Sequence, residues 1–243
     1  MNDKNLNNLL FLDVETTGLE EADRLVQVAY LYNNTEKESL FHPEREMSIR
    51  SMEVTHITNK HLEGKEKFQG SEFYHELKKL LDNDNTIFVA HNATFDVAML
   101  TREGLTVGAI IDTYKIAQAL DIKGDIPAYR LQYLRYHLGI EIDDACAHTA
   151  SGDVRVLVAL FKRMYEKMCK DLSHEEVIQK MIHISSEPVL IKRLNFGKYT
   201  GEFIADIARK DRGYLSWLLG QKESDAANGN IDADWIYTLK KYL

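Results

Sequence analysis

Cysteine is scarce in this chain: Cys146 and Cys169 are the only two among 243 residues, and their spacing fits no metal-ligand pattern. That argues against a disulfide scaffold and a cysteine-based zinc site, and two isolated thiols fit a reducing cytoplasm. No stretch approaches the roughly 18 consecutive apolar residues of a membrane span, so no membrane partner is expected. The opening MNDKNLNN is polar and carries an acid, unlike a secretory signal, and a cytoplasmic location is expected. Internal repeats and low-complexity tracts are missing as well. Positive charge is in deficit: the formal net charge is −8, which argues against broad nonspecific nucleic-acid binding. The deficit is uneven. Residues 188–243 hold nine Lys/Arg against seven Asp/Glu, leaving 21 against 31 in residues 1–187.

The hydrophobic content of 44% and charged content of 28% are those of an ordinary globular protein. The length suits one large domain, or one of about 170 residues with a small appendage. An apolar run at residues 9–12, followed by segments at 25–32 and 38–41 rich in β-branched and aromatic residues with Asn33-Asn34 between them, predicts a three-stranded meander. Residues 71–81 carry Phe73, Leu77, Leu80 and Leu81 at helical spacing. TIFVA at 86–90 predicts a buried strand followed by a short helix, Ile110-Ile111 a fifth strand, and residues 130–137 a helix. Residues 154–168 give the clearest helix: Val154, Leu157, Val158, Phe161, Met164, Tyr165 and Met168 form one stripe. Strands and helices alternating after a meander predict an α/β domain with a mixed sheet. A charged helical stretch at 173–184 then leads to Pro188 and a Gly/aromatic-rich module. The expected division is therefore 1–170, a helical linker at 171–187, and 188–243.

Three short stretches carry the candidate chemistry: FLDVETTGL with Asp13 and Glu15, HNATFD with Asp96, and HTASGD with His148 and Asp153. Asp13 and Glu15 are two apart on a strand, so both side chains leave one face. Adjacent carboxylates repel unless a cation lies between them. A solvent-facing acidic strand end is the plainer reading, but the preceding LLFL is apolar and marks a core strand. Asp96 falls in the first turn of a helix, where the helix dipole favours an acid by about 0.3–1 kcal/mol in any case. Its place at a strand-to-helix switch is also where ligands of open α/β sheets gather. Asn92 and Phe95 would there reach a substrate or simply order the turn. His148 and Asp153 would lie about 140° apart on a continuous helix. A helix starting near Thr149 frees His148 to sit outside it, one turn from Asp153. Asp153 then heads the buried stripe, where an unpaired carboxylate is costly; a metal, a backbone amide or a lysine would each relieve that cost.

As an ordered set, D-x-E-T-T-G, H-N-x-x-F-D and A-H-T-A-x-x-D resemble the DEDDh 3′–5′ exonucleases of the ribonuclease H-like fold, over roughly residues 8–169. THIT at 55–58 and Asp112-Thr113 are similar to smaller family signatures. The resemblance implies a mixed five-stranded sheet flanked by helices and two divalent ions, Mg²⁺ or Mn²⁺. Asp13 would be shared between the ions, with Glu15 and Asp153 completing the first site and Asp96 serving the second. It further implies His148 as the base that takes the proton of the attacking water, and Thr16, Gly18 and Leu19 as the seat of the terminal nucleotide. Nucleoside 5′-monophosphates would be the products.

The tail, FGKYTG followed by GYLSWLL, is similar to the C-terminal module of exodeoxyribonuclease X-type enzymes. That points to DNA 3′ ends, single-stranded or duplex, as the substrate and to DNA repair or end processing as the setting. Proofreading beside a polymerase, as in epsilon-like subunits, RNA 3′ trimming, and a non-catalytic binding protein are the alternatives. Within the module, Lys192, Arg193, Lys198, Tyr199 and Trp217 mix basic and aromatic side chains as single-strand binders do, so it could contact DNA or a protein partner. A module this small also needs a core, and Phe196, Tyr199, Tyr214 and Trp217 are the expected candidates; Trp217 is assigned to that core. The resemblance leaves a homodimer open.

Overall fold

A computed structural model of the chain describes residues 6–142, 149–170, 172–229 and 231–243. The polypeptide divides into two compact units: residues up to Thr113 with Leu131–Ile182, and Tyr114–Arg130 with His183–Leu243. In the first, β1 (Leu9–Thr16), β2 (Leu25–Tyr32), β3 (Thr35–Leu40), β4 (Ile87–Ala90) and β5 (Ala109–Asp112) form one sheet in the order β3-β2-β1-β4-β5. The first three are antiparallel, whereas β4 and β5 run parallel to β1. Asn33 and Asn34 close the β2–β3 hairpin at φ 47° and 63°, a left-handed pair that asparagine tolerates better than most residues. The mixed five-stranded sheet expected from the sequence is thus present.

β1 extends four residues beyond its apolar run because Asp13, Val14, Glu15 and Thr16 pair with Ala29, Val28, Gln27 and Leu25 of β2. Its alternation sorts the side chains. Leu10, Leu12 and Val14 enter a core with Leu77, Phe88 and Leu100, while Phe11, Asp13 and Glu15 belong to the opposite face. There Phe11 meets Phe161 of α7 (Ala150–Met168) edge-on, with ring centroids 5.2 Å apart. Helix α7 begins where the sequence predicts, with the Thr149 hydroxyl accepting the Gly152 N–H at 3.2 Å. Val156 and Leu160 join the buried stripe, and Val158 is only half-buried.

The remaining helices of this unit are α1 (Ile49–Thr55), α2 (Asn59–Leu62), α3 (Glu72–Leu81), α4 (Thr94–Arg102) and α6 (Leu131–His137). α1 and α2 carry too few buried residues to give a periodic signal: Thr55 in one, Leu62 in the other.

α5 (Thr113–Leu120) leads into the second unit and α8 (His174–Ser186) leads back to it. α9 (Ile204–Lys210), α10 (Arg212–Ala227) and α11 (Ala233–Tyr242) follow. Sequence order places residues 114–130 in the first domain, yet two of their carbonyls bond to the tail. Lys192 Nζ donates to the Gln118 carbonyl and Arg193 Nε to the Gly124 carbonyl, each at 2.8 Å. The core of this unit is Leu194, Ile204, Ile207, Leu215, Leu218, Trp235 and Leu239. The assignment of Trp217 to that core is overturned: its side chain is 57% exposed. Trp235, 6% exposed, fills the interior instead. Among the described residues no helix is long and apolar enough to cross a membrane.

Because Phe161 is fully buried against Phe11, Phe161→Ala should cost about 3–5 kcal/mol in chemical denaturation. A loss below about 1 kcal/mol would show that the α7–β1 contact does not hold the sheet face together.

Candidate active site

The packing of α7 across β1 brings Asp153, in the first turn of the helix, over the strand face that carries Asp13 and Glu15. One carboxylate oxygen from each of the three lies within 4.8 Å of the others. The start of α7 is fixed from below by β2 and β3, where Gln27 Oε1 accepts the Ala150 N–H at 3.2 Å and Glu38 Oε1 accepts the Ser151 N–H at 3.0 Å. The positive end of a 19-residue helix therefore faces the acids. Gln132 of α6 donates its amide to Asp153 Oδ1, a partner that nothing in the sequence signals because it lies on another helix.

Asp96 stands outside that trio but acts on it. It is buried in the first turn of α4, near enough to the backbone N–H of Val14 in β1 for that group to draw its carboxyl down. The turn before it is held by Asp112 at the end of β5, which accepts the N–H groups of Asn92 at 2.9 Å and Ala93 at 3.2 Å. Thr113 bonds the Ala90 carbonyl at 3.1 Å and His91 at 2.9 Å. Asp112-Thr113 thus has a mechanical role, aiming α4. Asn92 takes a left-handed φ of 63° with its side chain exposed, so its visible contribution is to the turn.

The electrostatics follow from this crowding. Burial, then Asp96, Glu15 and Asp153, push the Asp13 carboxyl well above its ordinary range. Burial and the charges of Asp153 and Asp96 raise Glu15 to about 8. Burial raises Asp96 to about 8, with Asp112 adding to the shift and the backbone N–H groups of Asp96 and Val14 opposing it. Among the described residues no lysine or arginine forms an ion pair with Asp13, Glu15 or Asp96. Hard oxygen donors with uncompensated negative charge are the donor set that Mg²⁺ or Mn²⁺ takes, so the residues fit a divalent ion. His148 lies outside the described residues.

Beside Glu15 opens a cavity of about 530 Å³ lined by Thr16, Gly18, Leu19, Phe95, Arg45, Arg50 and α1, within the range of small-molecule sites. Leu19 is 74% exposed at its edge, and Phe95 is half-buried against the sheet core. The Thr16 hydroxyl donates to the Gly18 carbonyl at 2.6 Å. The loop carrying these residues is organised by two residues that sequence reasoning missed. Thr17 donates to Asp23 at 2.6 Å, and its carbonyl accepts the Ser51 hydroxyl at 2.8 Å, tying loop to α1. Asp23 also accepts the Glu20 N–H at 2.7 Å and pairs with Arg45 at 3.4 Å. Burial pushes the Asp23 carboxyl up, but the bonds from Thr17 and Glu20 and the charges of Arg45 and Arg102 outweigh it and hold it below its ordinary value. Gly18 packs so closely on this carboxylate that a Cβ would overlap it. A D-x-E-T-T-G stretch followed within a few residues by an aspartate is the only hint of this in the sequence.

The family described as "Exonuclease" matches residues 10–161, and one described as "Exodeoxyribonuclease X-like C-terminal" matches residues 194–223. The chain belongs to the DEDDh 3′–5′ exonuclease family. It is accordingly an enzyme, a phosphodiester hydrolase. It is 31% identical to the DNA polymerase III subunit epsilon of Treponema pallidum over 67% of this chain and 78% of that one. It is 27% identical to exodeoxyribonuclease 10 of Escherichia coli K12 over 97% and 98%. Among solved structures, exonuclease X in complex with 5′ overhanging duplex DNA aligns at a TM-score of 0.54 and 22% identity, covering 71% of this chain and 99% of that one. E. coli exonuclease I in complex with a dT13 oligonucleotide aligns at 0.55 and 20%, covering 66% and 42%. Both likenesses confirm the ribonuclease H-like fold.

Two predictions follow from this geometry. In the metal-free chain the raised carboxyls hold protons that the unfolded chain releases from its ordinary value of 4.5 upward. Their stabilising contribution is therefore present at low pH and lost as pH rises to about 8. Melting in chelator should show Tm falling across that window, less steeply in Glu15→Gln, with Mn²⁺ restoring it; identical slopes in both proteins would contradict the repulsion. Asp23→Ala should raise KM several-fold with a smaller effect on kcat, since it frees the pocket loop while β1 still holds Asp13 and Glu15. An unchanged KM would mean that the loop does not seat substrate.

Proposed function

We propose that the protein is a metal-dependent 3′–5′ exodeoxyribonuclease that removes nucleoside 5′-monophosphates from DNA 3′ ends, in repair or end processing. The observation that carries the reading is the meeting of the Asp13, Glu15 and Asp153 carboxylates, where burial and mutual repulsion push Asp13 well above its ordinary range, beside a nucleotide-sized cavity. Exodeoxyribonuclease 10 supports the choice of DNA by matching this chain almost end to end, module included. The domain roles we assign are catalysis to 1–170, linkage to 171–187 and an accessory function to 188–243.

Asp13, Glu15 and Asp153 would hold one divalent ion, and Asp13 with Asp96 a second. Such ions, when bound, polarise a phosphoryl oxygen, make water a stronger acid and offset charge on the leaving oxygen. The chain's own residues do the rest. Leu19 and Phe95 offer apolar surface for the terminal base, and Gly18 lets its backbone approach the sugar. His148 takes one proton from the water as its oxygen bonds to phosphorus. The P–O3′ bond breaks, and the departing 3′ oxygen is protonated from solvent. An imidazole titrating near 6.5 suits that exchange at neutral pH.

A proofreading role is the second reading, favoured by the 31% identity to the epsilon subunit; the C-terminal module match weighs on the other side.

The deciding assay offers 5′-labelled single-stranded DNA, duplex DNA and RNA with Mg²⁺. DNA should shorten from its 3′ end faster than RNA, and RNA shortened preferentially would replace the substrate assignment. Asp13→Ala should abolish cleavage with the fold intact, and substantial residual activity in Mn²⁺ would sink the two-ion arrangement. His148→Ala should cost about 10²–10⁴ in rate and remove the acidic limb of the pH profile; an unchanged profile would refute its role as base.

A further inference from the structure

The second unit carries an aromatic face at the margin of its core, with Tyr199 and Tyr214 packed against the interior and Trp217 outside it. Trp217 of α10 is 57% exposed, while Leu194, Ile204, Ile207, Leu215, Leu218, Trp235 and Leu239 form the buried interior. Its ring lies 5.6 Å from that of Tyr214, one helical turn away, and Tyr214 meets Tyr199 edge-on at 5.1 Å. Two ammonium groups flank the far end: Lys198 and Lys210 stand 4.6 Å and 4.5 Å from the Tyr199 ring. Asp211 fixes the arrangement. It accepts the Tyr199 hydroxyl at 2.6 Å and the Tyr214 N–H at 3.1 Å, and it pairs with Lys198 at 3.3 Å. Gly197, at φ +68°, lets the Tyr214 hydroxyl come so near that a Cβ would sit 2.7 Å from it.

The neighbours of Trp217 on the helix surface are as telling as the ring itself. Positions three and four residues away are Gly213, Tyr214, Gly220 and Gln221. A Cβ at Gly220 would meet nothing within 4 Å, and one at Gly213 only Asp211 Oδ1 at 3.8 Å. Neither glycine is required by packing, and Gly220 weakens the helix interior it occupies. What both do is leave the indole unshielded and let another backbone approach.

We propose that this face binds a single-stranded segment of DNA, one base stacking on the Trp217 indole while Lys198, Lys210 and the exposed Arg212 meet backbone phosphates. Stacked aromatics beside cations are the physical basis of sequence-tolerant single-strand binding. Residues 188–243 are also the stretch where the charge turns positive, nine basic against seven acidic. The cations are paired with Asp211 and Glu202 at the surface, where such pairs are weak enough to exchange for phosphate. A second foothold would raise the effective concentration of a polymeric substrate at the enzyme. The choice of DNA over other polyanions rests on the exodeoxyribonuclease reading above.

The chain reports on its own face, because only Trp217 of its two tryptophans is exposed. The full-length protein in chelator, where no hydrolysis occurs, is titrated with oligothymidylate of about 20 nucleotides while tryptophan emission and the anisotropy of a labelled oligonucleotide are followed. Emission should be quenched at saturation, and Trp217→Ala should raise Kd about tenfold. Gly220→Leu, which improves helix propensity while crowding the indole, should also weaken binding, so a loss there cannot be ascribed to unfolding. Unchanged emission at saturation, or both variants binding like the wild type, would overturn the proposal and leave the face to a protein partner. Binding in chelator does not depend on cleavage, so a protein that binds but does not cut would count against the proposed function and not against this face.

Discussion

The seating of α7 across β1 is the contact on which the rest depends. Phe161 against Phe11 is an apolar edge-to-face contact of a kind found in any core. Its effect is to force Asp153 towards Asp13 and Glu15, a meeting the charges themselves oppose. The molecule holds like charges together with hydrophobic surface, and the tension appears as carboxyls that give up their protons reluctantly. Stability is thereby spent on a concentration of negative potential, a pattern typical of sites built to act on something.

Around that centre the supporting residues work in pairs that separate chemistry from recognition. Gln132 and Asp112 hold the acids or the turns that aim them. Thr17 and Asp23 hold the loop beside the cavity. The two groups share strand β1 but not their hydrogen bonds, so the pocket wall can vary while the acids stay in place.

Legibility in the sequence followed the range of the interactions. The meander, β4, α3 and α7 are written in local periodicity, and β1 runs on beyond its apolar stretch, where three of its last four residues, Asp13, Glu15 and Thr16, are polar. Asp13 and Glu15 announce themselves through period-two spacing on a strand, and the start of α7 through Thr149. Asp96 was recognisable by its setting, but the force that aims it, Asp112, comes from another strand. Gln132 and Asp23 were invisible because their meaning lies in partners or loop closures that no periodicity encodes. Trp217 went wrong for an instructive reason. A small aromatic-rich module was expected to bury every ring it has, whereas Trp235, near the end of the chain, makes the burial of a second indole unnecessary. The bonds that tie residues 114–130 to the tail, from Lys192 and Arg193 to the Gln118 and Gly124 carbonyls, are likewise long-range and leave no local pattern.

Strand β3 has a bearing on self-association. It forms one border of the sheet, and three consecutive charged side chains there are already committed. Glu36 pairs with Arg155 and Glu38 caps α7, while Lys37 pairs with Glu76. An open strand border invites a second copy to continue the sheet, and charge is the usual deterrent. Here each of the three charged side chains is engaged by a neighbouring helix, α7 on one face and α3 on the other. A second copy that continued the sheet at β3 would meet these charges, one of which helps to seat the start of α7.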